Sequence, residues 1–155
     1  MLRILTTIFN CQEWVERCIQ SIQEQSVTDF KCYLLDDLSE DASIEICKKL
    51  VKDDDRFVIV HNDDKLHQVG NYDNIMRKDF INNDDIVIEV DGDDWLPDPD
   101  VFGRIVEAYS DGKTWITCGQ FVYSNGALGF TKKVIPSLLR QQVFTASHMR
   151  TWKAF

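Results

Sequence analysis

Apolar residues along this chain follow two alternating rhythms, short dense runs and stripes at helical spacing. Residues 2–9 form an apolar-rich run and predict a strand. Trp14, Val15, Cys18, Ile19 and Ile22 recur at helical spacing and predict an amphipathic helix over about 13–25. A second strand over 31–36 ends in Asp36-Asp37, and Ser39 and Asp41 are candidate N-caps for a helix carrying Ile44, Cys47, Leu50 and Val51 on one face. Residues 57–61 predict a third strand, 69–80 a weaker helix and 86–90 a fourth strand. Pro97 and Pro99 then open a helix that runs to Tyr109, because proline is tolerated in a first helical turn.

Strands that alternate with helices predict an α/β fold with a mostly parallel, Rossmann-like sheet flanked by helices. After residue 113 the pattern changes. Residues 115–123, the turn Ser124-Asn125-Gly126 and residues 127–132 predict a C-terminal β-hairpin. The mixed tail from 136 to 155 ends on apolar residues with no polar stop, which reads as a chain cut inside a larger domain. Open parallel sheets bind ligands beyond the carboxyl ends of their strands. The segments 7–10, Asp36-Asp37 and 91–94 each follow a different strand, so they are expected to meet along one sheet edge.

Length and charge narrow the field. A chain of 155 residues supports one domain, here 1–155, with a real core. Its net charge of -9 makes it a poor candidate for unspecific nucleic-acid binding, which needs a basic footprint. The five cysteines are odd in number, contain no CxxC pair and fall partly on apolar positions. They read as reduced core residues of a cytoplasmic protein. No run approaches a membrane span and no signal peptide is evident, which leaves peripheral membrane association open.

The sharpest chemistry lies in Asp91-Gly92-Asp93-Asp94, three carboxylates in four positions at a strand's end. Packing does not ask for such repulsion. A divalent cation with a phosphate ligand does, and the glycine lets the backbone approach a ligand closely. An EF-hand is a poor fit, because Trp95, Leu96 and Phe102 occupy positions where that loop needs its oxygen ligand, glycine and glutamate. Asp36-Asp37 admits two readings, a turn with a helix cap or a contact to a base or ribose. His148 could complete an acidic metal site. Trp14 and Trp115 read as core, and Gly70 and Asn71 as a turn. No GxGxxG, Walker A or G-x-S-x-G motif is present, which argues against the usual dinucleotide oxidoreductases, P-loop kinases and serine hydrolases.

Three stretches together resemble the family 2 glycosyltransferases, whose fold is the GT-A nucleotide-sugar fold. They are Thr7-Ile8-Phe9-Asn10 with Trp14 to Ile19, Ser21-Ile22 and Gln25-Ser26; Leu34 to Asp41; and Asp91-Gly92-Asp93-Asp94, similar to the family's Asp-x-Asp signature. The resemblance covers roughly 2–105 and is loose from about 114. It implies a donor-nucleotide-binding half over 1–112 and the start of an acceptor half over 113–155. Thr7 and Phe9 would line the base pocket, and Asn10 would bind the donor nucleotide. Asp37 would bind the base with Asp36 beside it, Asp91 would reach the ribose, and Asn74 would belong to a loop bordering the donor. Asp93, Asp94 and His148 would hold Mn²⁺ or Mg²⁺ against the diphosphate.

The implied partners are a nucleotide-sugar donor, a UDP-sugar by preference, and an undefined glycan, lipid or protein acceptor. Inverting members use a carboxylate base in the acceptor half. This chain has no Asp or Glu after Asp111. That departure keeps a non-catalytic sugar-nucleotide-binding fragment as the alternative. A nucleotidyltransferase would need a basic, glycine-rich loop where Asn10-Cys11-Gln12-Glu13 stands, and a receiver domain does not suit the acidic run after the fourth strand.

Overall fold

The computed structural model describes residues 1–78, 81–130 and 149–154. Its strands are β1 (Leu2–Ile8), β2 (Phe30–Asp36), β3 (Phe57–His61), β4 (Ile86–Glu89), β5 (Ile116–Cys118) and β6 (Arg150–Lys153). Its helices are α1 (Val15–Gln23), α2 (Ser43–Leu50), α3 (His67–Arg77) and α4 (Val101–Tyr109). One sheet runs in the order β3-β2-β1-β4-β6-β5. The first four strands are parallel, whereas β6 is antiparallel to both β4 and β5.

The period-two alternation of the central strands builds two cores. Ile4, Ile8, Cys32, Leu34 and Ile88 pack on one face with Val15, Cys18, Ile19, Ile22, Ile44, Cys47, Phe102 and Ile105, residues of α1, α2 and α4. Leu5, Tyr33, Leu35 and Val87 pack on the other with Tyr72 and Ile75 of α3. The central strands are therefore buried on both faces, as parallel strands between helices must be. Phe30 joins the first core by edge-to-face contacts with Phe57 and Phe102, at centroid distances of 5.9 and 5.5 Å.

Several expected boundaries move. α4 starts at Val101, beyond both prolines, because residues 97–100 turn back toward the end of α1: Ser26 N–H donates to the Pro99 carbonyl at 2.8 Å and Gln25 Nε2 to that of Asp98 at 2.8 Å. The same Gln25 accepts from Phe102 N–H at 3.0 Å, satisfying a first-turn donor that α4 cannot pair itself. Neither Ser39 nor Asp41 is the N-cap of α2; that position is Ala42. Asp41 Oδ1 still accepts from Ser43 N–H at 2.9 Å, from one residue further out. Gly70 and Asn71 lie inside α3 and mark no turn.

The expected hairpin shrinks to one bridge, Val122 to Leu128, closed at Gly126 with φ +86°. The long strand expected over 115–123 breaks after β5, because β5 pairs with β6 from the tail and Gly119 N–H donates to the Met149 carbonyl at 2.9 Å. The last residues of the expected return strand, 131 and 132, lie outside the described residues.

Candidate nucleotide-binding site

Three strand ends converge as the pattern predicts. Asp37 N–H donates to the Ile8 carbonyl at 2.9 Å, and Gly92 N–H to the Thr7 carbonyl at 3.2 Å. The second contact needs a glycine, since a Cβ on residue 92 would lie 2.8 Å from the Thr7 oxygen and 3.0 Å from Ile8 Cδ1. Above this junction opens a cavity of about 310 Å³. Thr7, Phe9, Asn10, Cys11 and Trp14 line it from the end of β1, and Asp91, Gly92 and Asp93 from the end of β4. Gln68 of α3 completes the wall.

The carboxylates divide by environment. Asp93 and Asp94 are exposed, whereas Asp91 is half-buried and its Oδ1 accepts from Gln68 Nε2. Asp36 and Asp37 are buried and do not line the cavity. Asp36 Oδ1 accepts from Ser39 N–H at 3.0 Å, and its Oδ2 lies 3.2 Å from His61 Nδ1. Asp37 Oδ1 accepts from Leu66 N–H at 2.8 Å, His67 N–H at 3.1 Å and Asn71 Nδ2 at 3.0 Å. It thus puts negative charge on the N-terminus of α3, where the helix dipole favours it.

At the mouth, Phe9 is 43% exposed with Lys65 Nζ 3.1 Å from its ring centroid. Asn10 takes φ +47°, a conformation asparagine tolerates, and its Oδ1 accepts from Glu40 N–H at 2.8 Å. Trp14 is 44% exposed and Trp115 62%, so neither is a core residue. Trp14 stacks on Trp95 at 6.2 Å, and the Arg17 guanidinium lies 3.7 Å from the Trp95 ring centroid. The amphipathic stripe of α1 begins at Val15, which leaves Trp14 at the rim.

Asn74 is half-buried in α3 and does not line the cavity. His148 lies outside the described residues. Gln68 and Cys11 line the site without having been singled out. Cys11 follows directly on the Thr7 to Asn10 turn, so adjacency could have flagged it, whereas nothing local in the sequence marks Gln68. Burial pushes the Cys11 thiol up, against a Ser43 hydrogen bond that lowers it, so the cavity presents a neutral thiol there. Burial, then the Asp91 and Glu89 carboxylates, push the Tyr72 phenol well up, so it keeps its proton.

Among the described residues no group of three or more His, Cys, Asp or Glu side chains is arranged to hold a metal ion. The cavity nonetheless offers carboxylate oxygens of Asp91 and Asp93 and no thiolate. That donor set suits a hard cation whose remaining ligands come from phosphate and water.

A mixed α/β sheet with its acidic site at the strand ends is the GT-A architecture, and solved structures share it. S. aureus TarS 1–349 superposes with a TM-score of 0.72 at 15% identity, over 99% of this chain and 47% of that one. The mannosyltransferase PcManGT of Pyrobaculum calidifontis, solved with GDP-Man and Mn²⁺, superposes at 0.68 and 15%, over 77% of this chain and 35% of that one. The chain belongs to glycosyl transferase family 2, whose family model matches residues 3–154. It is 26% identical over 117 residues to EpsH of Bacillus subtilis (strain 168), and covers 32% of that protein with 74% of its own length. No helix among the described residues is long and apolar enough to cross a membrane.

Proposed function

We propose that this chain forms the donor half of a metal-dependent glycosyltransferase that moves a sugar from a nucleotide sugar, a UDP-sugar by preference, to an acceptor hydroxyl. The observation that carries the reading is the Gly92 to Thr7 junction, which sets Asp91 and Asp93 on one wall of a 310 Å³ cavity at the sheet's carboxyl edge. Relatives in fold support the choice of ligand, since TarS 1–349 was solved with UDP-GlcNAc and with UDP, and PcManGT with GDP-Man and Mn²⁺.

In this reading Phe9 offers an aromatic face to the base and Asp91 accepts from ribose hydroxyls. Asp93, with Asp94 beside it, would hold Mn²⁺ or Mg²⁺ against the diphosphate. A cation held there would supply charge stabilisation for a departing nucleoside diphosphate. Asp36 and Asp37 act on the base side by fixing the turn after β2 and the start of α3. Residues 1–112 form this donor half, residues 113–155 begin the acceptor half, and the protein works in the cytoplasm. The acceptor proton is taken by a group other than a carboxylate of residues 112–155, because none exists there. The second reading is a sugar-nucleotide-binding unit without turnover.

Calorimetric titration with UDP, GDP and dTDP, with and without Mn²⁺, tests the site. One nucleotide should bind tightly only with metal. Asp93→Ala should cost at least tenfold in that affinity while circular dichroism stays unchanged. Unchanged affinity in a folded variant removes the donor-site assignment. Sugar release or transfer from the matching donor separates the enzyme from the binding unit.

A further inference from the structure

The Asp91 carboxylate is held by a side chain from the opposite core. Gln68, in the first turn of α3, donates from Nε2 to Asp91 Oδ1 at 2.5 Å and to the Tyr72 hydroxyl at 3.1 Å. A carboxylate only accepts, so the amide nitrogen is the atom that must face it, and the second N–H is what reaches Tyr72. Tyr72 sits one helical turn further on and is buried among Leu5, Tyr33, Leu35 and Val87. Its ring is fixed by the core, and its hydroxyl fixes the amide. α3 is fixed in turn at its first residues by the buried Asp37 carboxylate.

We infer that Gln68 is a positioning residue for ribose recognition: it holds the Asp91 carboxylate in the orientation that accepts from the ribose hydroxyls of the donor nucleotide. The inference rests on the reading of the cavity as a nucleotide-donor site. Asp91 shares a four-residue acidic run with Asp93 and Asp94, and like charges push such side chains apart. A neutral amide restrains Asp91 without cancelling the charge that makes it a strong acceptor. Fixing its rotamer beforehand also removes an ordering cost from binding. Discrimination between a ribose and its deoxygenated analogue is thereby set by α3 as well as by the acidic run.

The test is titration of the full chain with UDP and GDP and with their 2′,3′-dideoxy analogues, all with Mn²⁺. Gln68→Met keeps length and helix propensity and removes the donor; Gln68→Ala is a second variant should the first misfold. The expected result is that the wild type prefers the ribonucleotide and that Gln68→Met weakens it about tenfold, with less than a twofold effect on the dideoxy analogue. In an Asp91→Asn background the same substitution should cost less than twofold, because the two side chains act as one unit. Equal weakening of both nucleotides, or a full tenfold loss on top of Asp91→Asn, assigns Gln68 a merely structural role and overturns the inference. A wild type that binds ribo and dideoxy forms equally overturns it while leaving the donor site intact. A wild type that binds no nucleoside diphosphate with Mn²⁺ overturns both.

Discussion

Gly92 shows how one residue couples fold to site. Its missing side chain lets β4 and β1 close at their carboxyl ends, and the carboxylates on either side inherit their places from that contact. Gly92→Ala would press a Cβ to 2.8 Å from the Thr7 carbonyl oxygen, in a strand paired on both sides. It should cost about 2–3 kcal/mol as overpacking and lower Tm by roughly 4–10 °C. A thermal melt beside a UDP and Mn²⁺ titration checks this, with affinity falling along with stability. The glycine and the acidic run were legible because their composition makes no sense for packing. The role of Gln68 was not, because an amide on a helix gains meaning only from the carboxylate that the sheet brings to it. Leu38 is a similar case: nothing in Asp-Asp-Leu-Ser announces a leucine at φ +65°. Trp14 misled for the opposite reason, since hydrophobic spacing cannot separate the last core position from the first rim position.

At the scale of elements, the alternation of runs and stripes showed the first four strands and all four helices, because each buries a continuous apolar face. Ends were less legible where the partner is distant. The start of α4 depends on Gln25, and that of α3 on Asp37. β6 is short, and only its pairing partners make it a strand. The amino end of β1 is tied to the turn before β4 in the same long-range manner. Asp85 accepts from Arg3 Nε at 2.8 Å and from Asn82 N–H at 2.9 Å. Burial raises its carboxyl, but the Asn82 N–H, Arg3 and the N-terminal amine outweigh it and hold the group below its usual range. A depressed folded value stabilises above the unfolded value of about 4, and that contribution is lost as pH falls below it. Asp85→Asn should therefore lower Tm at pH 7 by about 5 °C, from ~2 kcal/mol for a charge-assisted bond. The gap to wild type should narrow between pH 5 and 3. A melt series across that range reads it, and a constant gap would mean the charge is immaterial.

The whole molecule places an acidic site at the edge where its strand ends converge, so ligand and fold are linked. A nucleotide with metal at a hundred times its Kd would add ~2.7 kcal/mol and raise Tm by roughly 5–10 °C. The same nucleotide with a chelator should leave Tm unmoved, and differential scanning fluorimetry distinguishes the two. The sulfur atoms have a separate consequence. Cys11, Cys18, Cys32 and Cys47 all belong to the core on the α1, α2 and α4 side, none belongs to the α3 side, and Cys118 is only half-buried. The chain therefore carries its own asymmetric breathing gauge. A thiol reagent would tag Cys118 and the cavity-lining Cys11 first, then count the openings of one layer through Cys18, Cys32 and Cys47 while the other stays silent.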